Sequence, residues 1–383
     1  MAKATPQLDV LVLGQHPCAY LAAELLAVHH SARLHVAHST IPADNPPDRL
    51  VIVNPQLFVL YKPLEKVRKK LQLTGMFGAV FLGDDAETRG EWRSKSNSPA
   101  VLVGCYSEIR KALAASAKDA GVKCFGPKSL AVVSVDEKGF EIHLDQHKVH
   151  PRAVLLAGNL SGENARLLAL PEAFPSDVMR RYSFLRLRPL KRWSEQTDSK
   201  PLMPMSLDVA GKLTWAWMLV GHDEVQLAIE QPLEEIAHAK PAQVMRKWAS
   251  TLFTHKFLKS DAVPLEEMES MDIPAAGALS REIVGNRTLL FGPAGGFYTA
   301  CMEDLYPNCW SATFAVDAIR HALAQPHLQD ALQPYRQAWG TTLGEYLRGP
   351  QQNLRFLLPL VYRNPVMSAR MAESILQGKS VVR

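Results

Sequence analysis

The chain has 383 residues, 47% of them hydrophobic and 21% charged, with a formal net charge of +5. That length fits one large or two ordinary domains, and that composition excludes a disordered or collagen-like chain. No apolar run nears the roughly 18 residues needed to span a bilayer, and the opening Met-Ala-Lys-Ala-Thr-Pro-Gln has no apolar stretch of the secretory kind, so a cytoplasmic protein is expected.

Leu8 to Leu13 is a short, nearly continuous apolar run, as a strand buried on both faces requires. Gly14 stops it. Ala19 to Val28 then has helical composition, and Arg33 to Ala37 predicts a second strand. Strand, glycine turn, helix and strand within about 30 residues open a dinucleotide-binding sheet. In such a sheet one glycine makes the bend, a second admits the pyrophosphate, and a third lets helix and strand pack. Here Gly14-Gln15-His16-Pro17-Cys18-Ala19 supplies the first, places His16 at the second and the small Ala19 at the third. The acid expected at the end of the second strand is replaced by His38.

Residues 41–99 show proline and polar clusters around a Lys-rich helix over about 62–73. Its Lys62, Lys66, Arg68, Lys69 and Lys70 predict a solvated face, and no nucleic-acid partner is expected. A helix over Glu108 to Ala120 ends at Gly121. Strands follow over 122–157, with a turn at Asp136 to Gly139 and a buried run at 153–157. From about 180 to 230 apolar and polar residues alternate, as in an antiparallel sheet separate from the first. On the run Leu213-Thr-Trp-Ala-Trp-Met-Leu, Trp215 and Trp217 share one face. Helices are expected over 241–258 and near 309–324. Between them, Arg287 to Phe291 reads as a strand entering the turn Gly292-Pro293-Ala294-Gly295-Gly296-Phe297.

The five cysteines, Cys18, Cys105, Cys124, Cys301 and Cys309, are odd in number and form no Cys-x-x-Cys. Neither a disulfide framework nor a zinc knuckle fits them. No His-Glu-x-x-His is present, and His29 and His30, if helical, point about 100° apart. No metal site is expected. Gly-x-Ser-x-Gly and Walker A sequences are also absent.

The stretch Asn286-Arg-Thr-Leu-Leu-Phe-Gly-Pro-Ala-Gly-Gly-Phe resembles flavoproteins of the geranylgeranyl reductase and aromatic hydroxylase (p-hydroxybenzoate hydroxylase-like) superfamily. There a strand runs into Gly-Asp-Ala-Ala-Gly-Phe beside the flavin diphosphate. Gly292, Ala294, Gly296 and Phe297 match, and Met302 to Ala315 is similar to the loop and helix that follow. Gly211 to Leu219 with Val225 to Ile229 resembles the aromatic-rich substrate-domain strands. Tyr106 to Val122 and the tail Leu354 to Lys379 resemble further segments in the same order.

The resemblance implies an α/β fold: a Rossmann-like FAD/NAD(P)-binding domain from 1–165 and 266–325, an antiparallel substrate domain over 166–265, and a helical tail over 326–383. It implies an FAD-dependent oxidoreductase, of reductase or monooxygenase type, for an apolar small molecule of isoprenoid or aromatic character. Gly14, Gln15, His16, Ala19, His38 and Gly292 to Phe297 would hold FAD, and Trp215 and Trp217, with Met203, Met205 and Met218 nearby, would wall the substrate. Glu303 and Asp304 read as helix-capping acids or as a base beside the flavin. The apolar stripe of the tail reads as docked on the core or resting on a membrane surface. Four positions depart from the pattern: His16, His38, Gly158 for an aspartate, and Pro293 for an aspartate. They leave open an alternative, a non-catalytic binding or assembly protein on a flavoprotein scaffold without FAD.

Overall fold

A computed structural model describes residues 8–28, 34–42, 45–83, 85, 87–160, 162–171, 174–196, 199–209, 212–299, 305–347 and 362–377. Expectations for His29, His30, Arg33, Gly211, Cys301, Met302, Glu303, Asp304, residues 354–361, Gly378 and Lys379 lie outside them.

Two sheets, each with its own apolar core, organise the chain. The first has six strands in the order Val284–Gly285, Thr288–Leu290, Pro151–Leu156, Leu8–Leu13, Val36–Ser39, Lys123–Phe125. All neighbours are parallel except the first pair. Leu8–Leu13 lies inside this sheet, flanked on both sides, which explains its nearly continuous apolar run. Helix Pro17–Ala27 follows it and is buried along most of its length, packed against helices Tyr106–Asp119 and Leu305–Leu323. That environment suits its Ala-rich sequence, because small side chains let helices approach closely. Tyr106–Asp119 buries Tyr106, Ile109, Leu113 and Ala117, a single helical stripe. A meander of Leu130–Val135, Phe140–Leu144 and His147–Val149 turns at Asp136, whose carboxylate accepts the Lys138 and Gly139 N–H groups.

The second sheet has seven strands: Glu269–Pro274, Met179–Leu187, Val225–Pro232, Lys212–Val220, Leu202–Val209, Gly78–Leu82, Arg89–Arg93. It is wider than residues 166–265. Gly78–Leu82 joins in parallel beside Leu202–Val209, and Arg89–Arg93 forms an edge. Neither strand is evident in the proline and polar clusters of 41–99, because their pairing partners lie far along the chain. The Lys-rich helix is shorter than expected, Lys62–Arg68. It buries Pro63, Leu64 and Val67 and leaves its lysines exposed. A small antiparallel sheet of Leu50–Val53, Val101–Cys105 and Thr74–Met76 lies between the two cores and contributes side chains to both.

Helix Pro241–Thr254 covers the second sheet with Val244, Met245, Trp248 and Leu252. In the tail, helix Pro365–Gln377 buries Met371, Ala372 and Leu376 in the same core. Its Ser368 sits so close to Gly90 that a Cβ there would collide with it. This helix docks on protein. Among the described residues, no helix is long and apolar enough to cross a membrane, and no three His, Cys, Asp or Glu side chains cluster to hold a metal ion.

Candidate functional site

The first glycine turn is shaped by the backbone. Gly14 has φ +133°, and a Cβ built on it would come within 2.9 Å of the Gly158 nitrogen. Only glycine fits that conformation and that approach. Its N–H donates to Ser39 O at 3.0 Å. Half-buried Gln15 donates to Ile41 O at 3.1 Å, and its own side-chain oxygen lies 3.4 Å from the Arg110 guanidinium.

His16 is only 4% exposed. It is the N-cap of helix Pro17–Ala27: its Nδ1 accepts the Cys18 N–H at 3.2 Å and lies 2.9 Å from Cys18 Sγ. Its ring neighbours that of Tyr106 at 5.7 Å, and the Arg49 guanidinium covers the other ring at 4.0 Å. Arg49 is itself 2% exposed. Ala19, fully buried, permits close packing at the third position of the turn.

His38 differs from expectation. The second strand runs Val36–Ser39, so His38 sits inside it, fully buried under Tyr20 with ring centroids 4.1 Å apart. Burial pushes its pKa down to about 4, against a smaller opposing effect of the Gly14 carbonyl. The ring is therefore neutral, and Nε2–H donates to Gly14 O at 2.8 Å. That fixes the tautomer and leaves Nδ1 without a hydrogen-bond partner among the described residues. His38 clamps the turn from beneath instead of facing a ribose.

The second turn rests against the first. Gly292 has φ +59°, and a Cβ there would approach Cys18 Sγ to 2.6 Å. Its N–H donates to Ser311 Oγ at 2.9 Å. Pro293 is the second residue of the one-turn 3₁₀ segment Gly292–Gly295 and has no N–H and no acid to offer. Gly295 O accepts the Ser280 N–H at 3.0 Å. Gly296 has φ +81°, and a Cβ there would strike the Ala278 carbonyl. Phe297 is fully buried, edge-on to Trp339 in a small cluster with Leu343 and Leu347, so it packs rather than faces a ligand. Ala294 and Gly158, with Asn159, border a cavity at the strand ends.

The structure thus brings together Gly14, His16, Cys18 and Gly292, and sets His38 and Phe297 into packing. Cys18, Arg49, Tyr106 and Ser311 escaped the sequence reading. Only Cys18, inside the turn motif, was within reach of it.

Trp215 and Trp217 do share a sheet face, and it is turned toward strand Leu50–Val53. Gln226 on that face exchanges hydrogen bonds with the backbone of Leu50 and donates to the Tyr182 hydroxyl. Tyr182 stacks on Trp217 at 5.6 Å and 17° and on Phe184 at 5.2 Å. Trp215 and Trp217 are 3% and 0% exposed, and Met203, Met205 and Met218 are fully buried. Neither tryptophan lines the cavity at Leu156 and Leu290, nor those beside Trp193, His222 and Tyr362. Both rings are core here, because Tyr182 packs beside Trp217 on the same face and strand Leu50–Val53 lies against that face.

Glu230 stands opposite Trp215 and Tyr182 in register. Burial raises its carboxyl to about 7, and Arg180, 3.5 Å away, offsets this only in part.

A diphosphate has matching features here: a helix N-terminus with proline at its first position and no acid in its first turn, two glycine turns in contact, and nearby Arg49 and Arg110. The backbone frame fits FAD. One side chain stands in the way: the His16 imidazole takes the Cys18 N–H, a donor of the kind that a phosphate oxygen takes at a helix end.

No family model matches the sequence, and no curated protein matches it. The fold does have solved counterparts. A geranylgeranyl bacteriochlorophyll reductase-like protein from Thermoplasma acidophilum superimposes with a TM-score of 0.64 at 15% identity, over 97% of this chain and 88% of the other. A flavoprotein/dehydrogenase from Cytophaga hutchinsonii gives 0.61 at 16%, over 97% and 93%. A flavin-dependent halogenase gives 0.63 at 15%, over 97% and 73%. The chain has the fold of these flavoproteins.

Proposed function

We propose that the chain is an FAD-dependent oxidoreductase acting on an apolar small molecule, of reductase or monooxygenase type. The observation that carries this reading is the meeting of the two glycine turns at the N-terminus of helix Pro17–Ala27, with Cys18 packed on Gly292 and the buried Arg49 close by. The Cys18 N–H, once the His16 ring turns away from it, and the guanidinium groups of Arg49 and Arg110 would bind the diphosphate. Gly14 and Gly292 would let the backbone come close to it. FAD held there supplies the hydride or oxygen chemistry, while the protein contributes orientation and electrostatics.

One set of observations favours a second reading, a binding or assembly protein on this scaffold without FAD. His16 caps the helix, His38 faces inward where an acid for the ribose is expected, Pro293 brings no carboxylate for the ribityl chain, and Gly158 stands where another aspartate is expected.

The test is to purify the full chain, record its visible spectrum, and titrate it with FAD by flavin fluorescence. A co-purifying flavin band or saturable binding supports the first reading. Absence of both leaves the second.

A further inference from the structure

Beyond the second turn, off the ends of Pro151–Leu156 and Thr288–Leu290, is a cavity of about 240 Å³. Leu156 and Leu290, at the carboxyl ends of these adjacent parallel strands, form its floor. Leu160, Ala165 and Leu170 form one wall, and Ala294 closes the side toward the glycine turn. All six are buried. Polar groups gather at the rim, where Asn159, Asp177 and Arg281 are exposed.

Three points make this a binding site. Its lining is mostly apolar, whereas the cavities beside Trp193 and His222 are lined in large part by charged and polar side chains. It lies outside the carboxyl ends of parallel strands, where open α/β sheets bind their ligands. Its apolar floor and small set of polar rim groups match small-molecule pockets, and its volume is below the roughly 300 Å³ at which those for drug-sized ligands begin. One ring system of about ten heavy atoms is the right scale. The rim carries both a carboxylate and a guanidinium, so it suits a neutral polar end such as a hydroxyl or ring N–H, placed near Asn159.

We propose that this cavity binds a small, neutral aromatic compound, ring inward and polar end at the Asn159–Arg281 rim. The two tryptophans do not border this cavity. The proposal does not rest on FAD binding, because the walls are built from the chain's own strands and loops. It does touch the cofactor turn: Ser280 on the rim holds Gly295 O, and Phe174, another wall residue, sits against Gly296.

The experiment uses indole as the probe, with the full chain, followed by saturation-transfer NMR and calorimetric titration. Two variants fill the space from different walls: Ala165→Leu in the helical segment Gly162–Leu167, and Leu279→Phe in a loop. Saturable binding by the parent, weakened at least tenfold in each variant that keeps the parent's circular dichroism, is the expected result. If Ala165→Leu fails to fold, Leu279→Phe carries the test. No saturable binding of indole by the parent, or equal affinity in the parent and in a folded variant, overturns the proposal. Either outcome is independent of the FAD titration.

Discussion

The two glycine turns depart from a flavoprotein pattern in different ways. At the first, Gly14 remains where φ is +133° and the Gly158 backbone leaves no room, while position 16, where a glycine serves only the approach of a ligand, carries a buried histidine. At the second, Gly292 and Gly296 keep left-handed conformations that the fold requires, and the acid that would serve a ligand is Pro293. Glycines demanded by the backbone are present in both turns. Groups demanded only by a nucleotide are altered in both. The second turn still borders an open cavity, through Ala294, whereas the first is closed by its own cap.

The largest expected effect separates the two kinds of position in the first turn. Gly14→Ala combines a strained φ with a backbone clash and is expected to cost roughly 3 kcal/mol or more. His16→Ala removes one helix cap and is expected to cost about 1 kcal/mol. Urea denaturation of both variants measures the difference, and equal losses break the comparison.

Two buried groups sharpen it through pH. Burial holds the His38 pKa at about 4 in the folded chain, against the ordinary histidine value of 6.5. The unfolded chain therefore takes up a proton first as pH falls. Stability is full above pH 6.5 and declines toward pH 4, by about 3 kcal/mol across that window. His38→Gln should flatten that slope in urea midpoints measured at successive pH values. Glu230, on the other sheet, has the opposite sign. Its folded value is about 7 against 4.5, so its contribution is best below pH 4.5 and is lost as pH rises through 7. Glu230→Gln should stabilise the chain by about 1–2 kcal/mol at about pH 8 and have little effect near pH 4.5. The gain is smaller than the full shift implies because Arg180 loses a partial counter-charge.

Local pattern made some of this legible. Leu8 to Leu13, Gly14 and the helix after it could be read because a buried parallel strand, a glycine stop and an Ala-Leu helix leave strong local marks. The alternation over 180–230 fixed the shared face of Trp215 and Trp217. It could not show that Tyr182 stacks on that face, because the cover comes from another strand. The same holds for Arg89–Arg93, an edge strand with outward Arg and Glu, and for Gly78–Leu82, whose partner Leu202–Val209 is distant in sequence. His38 reads as the end of the second strand but lies inside it, and its role depends on Tyr20 lying over it. The column of His16, Tyr106 and Arg49 joins three separate segments, and no local signal marks it.

One paired titration tests whether a diphosphate cradle lies beneath His16. FAD is added to the parent and to His16→Gly, followed by flavin fluorescence. Glycine also serves as an N-cap at little cost, so the helix remains intact. Removing the imidazole frees the Cys18 N–H, and the variant should bind FAD about tenfold more tightly than the parent, the scale of one hydrogen bond at a charged acceptor. Weaker binding by His16→Gly would show the imidazole to be a phosphate ligand and not a plug. No binding by either protein would contradict the cradle itself.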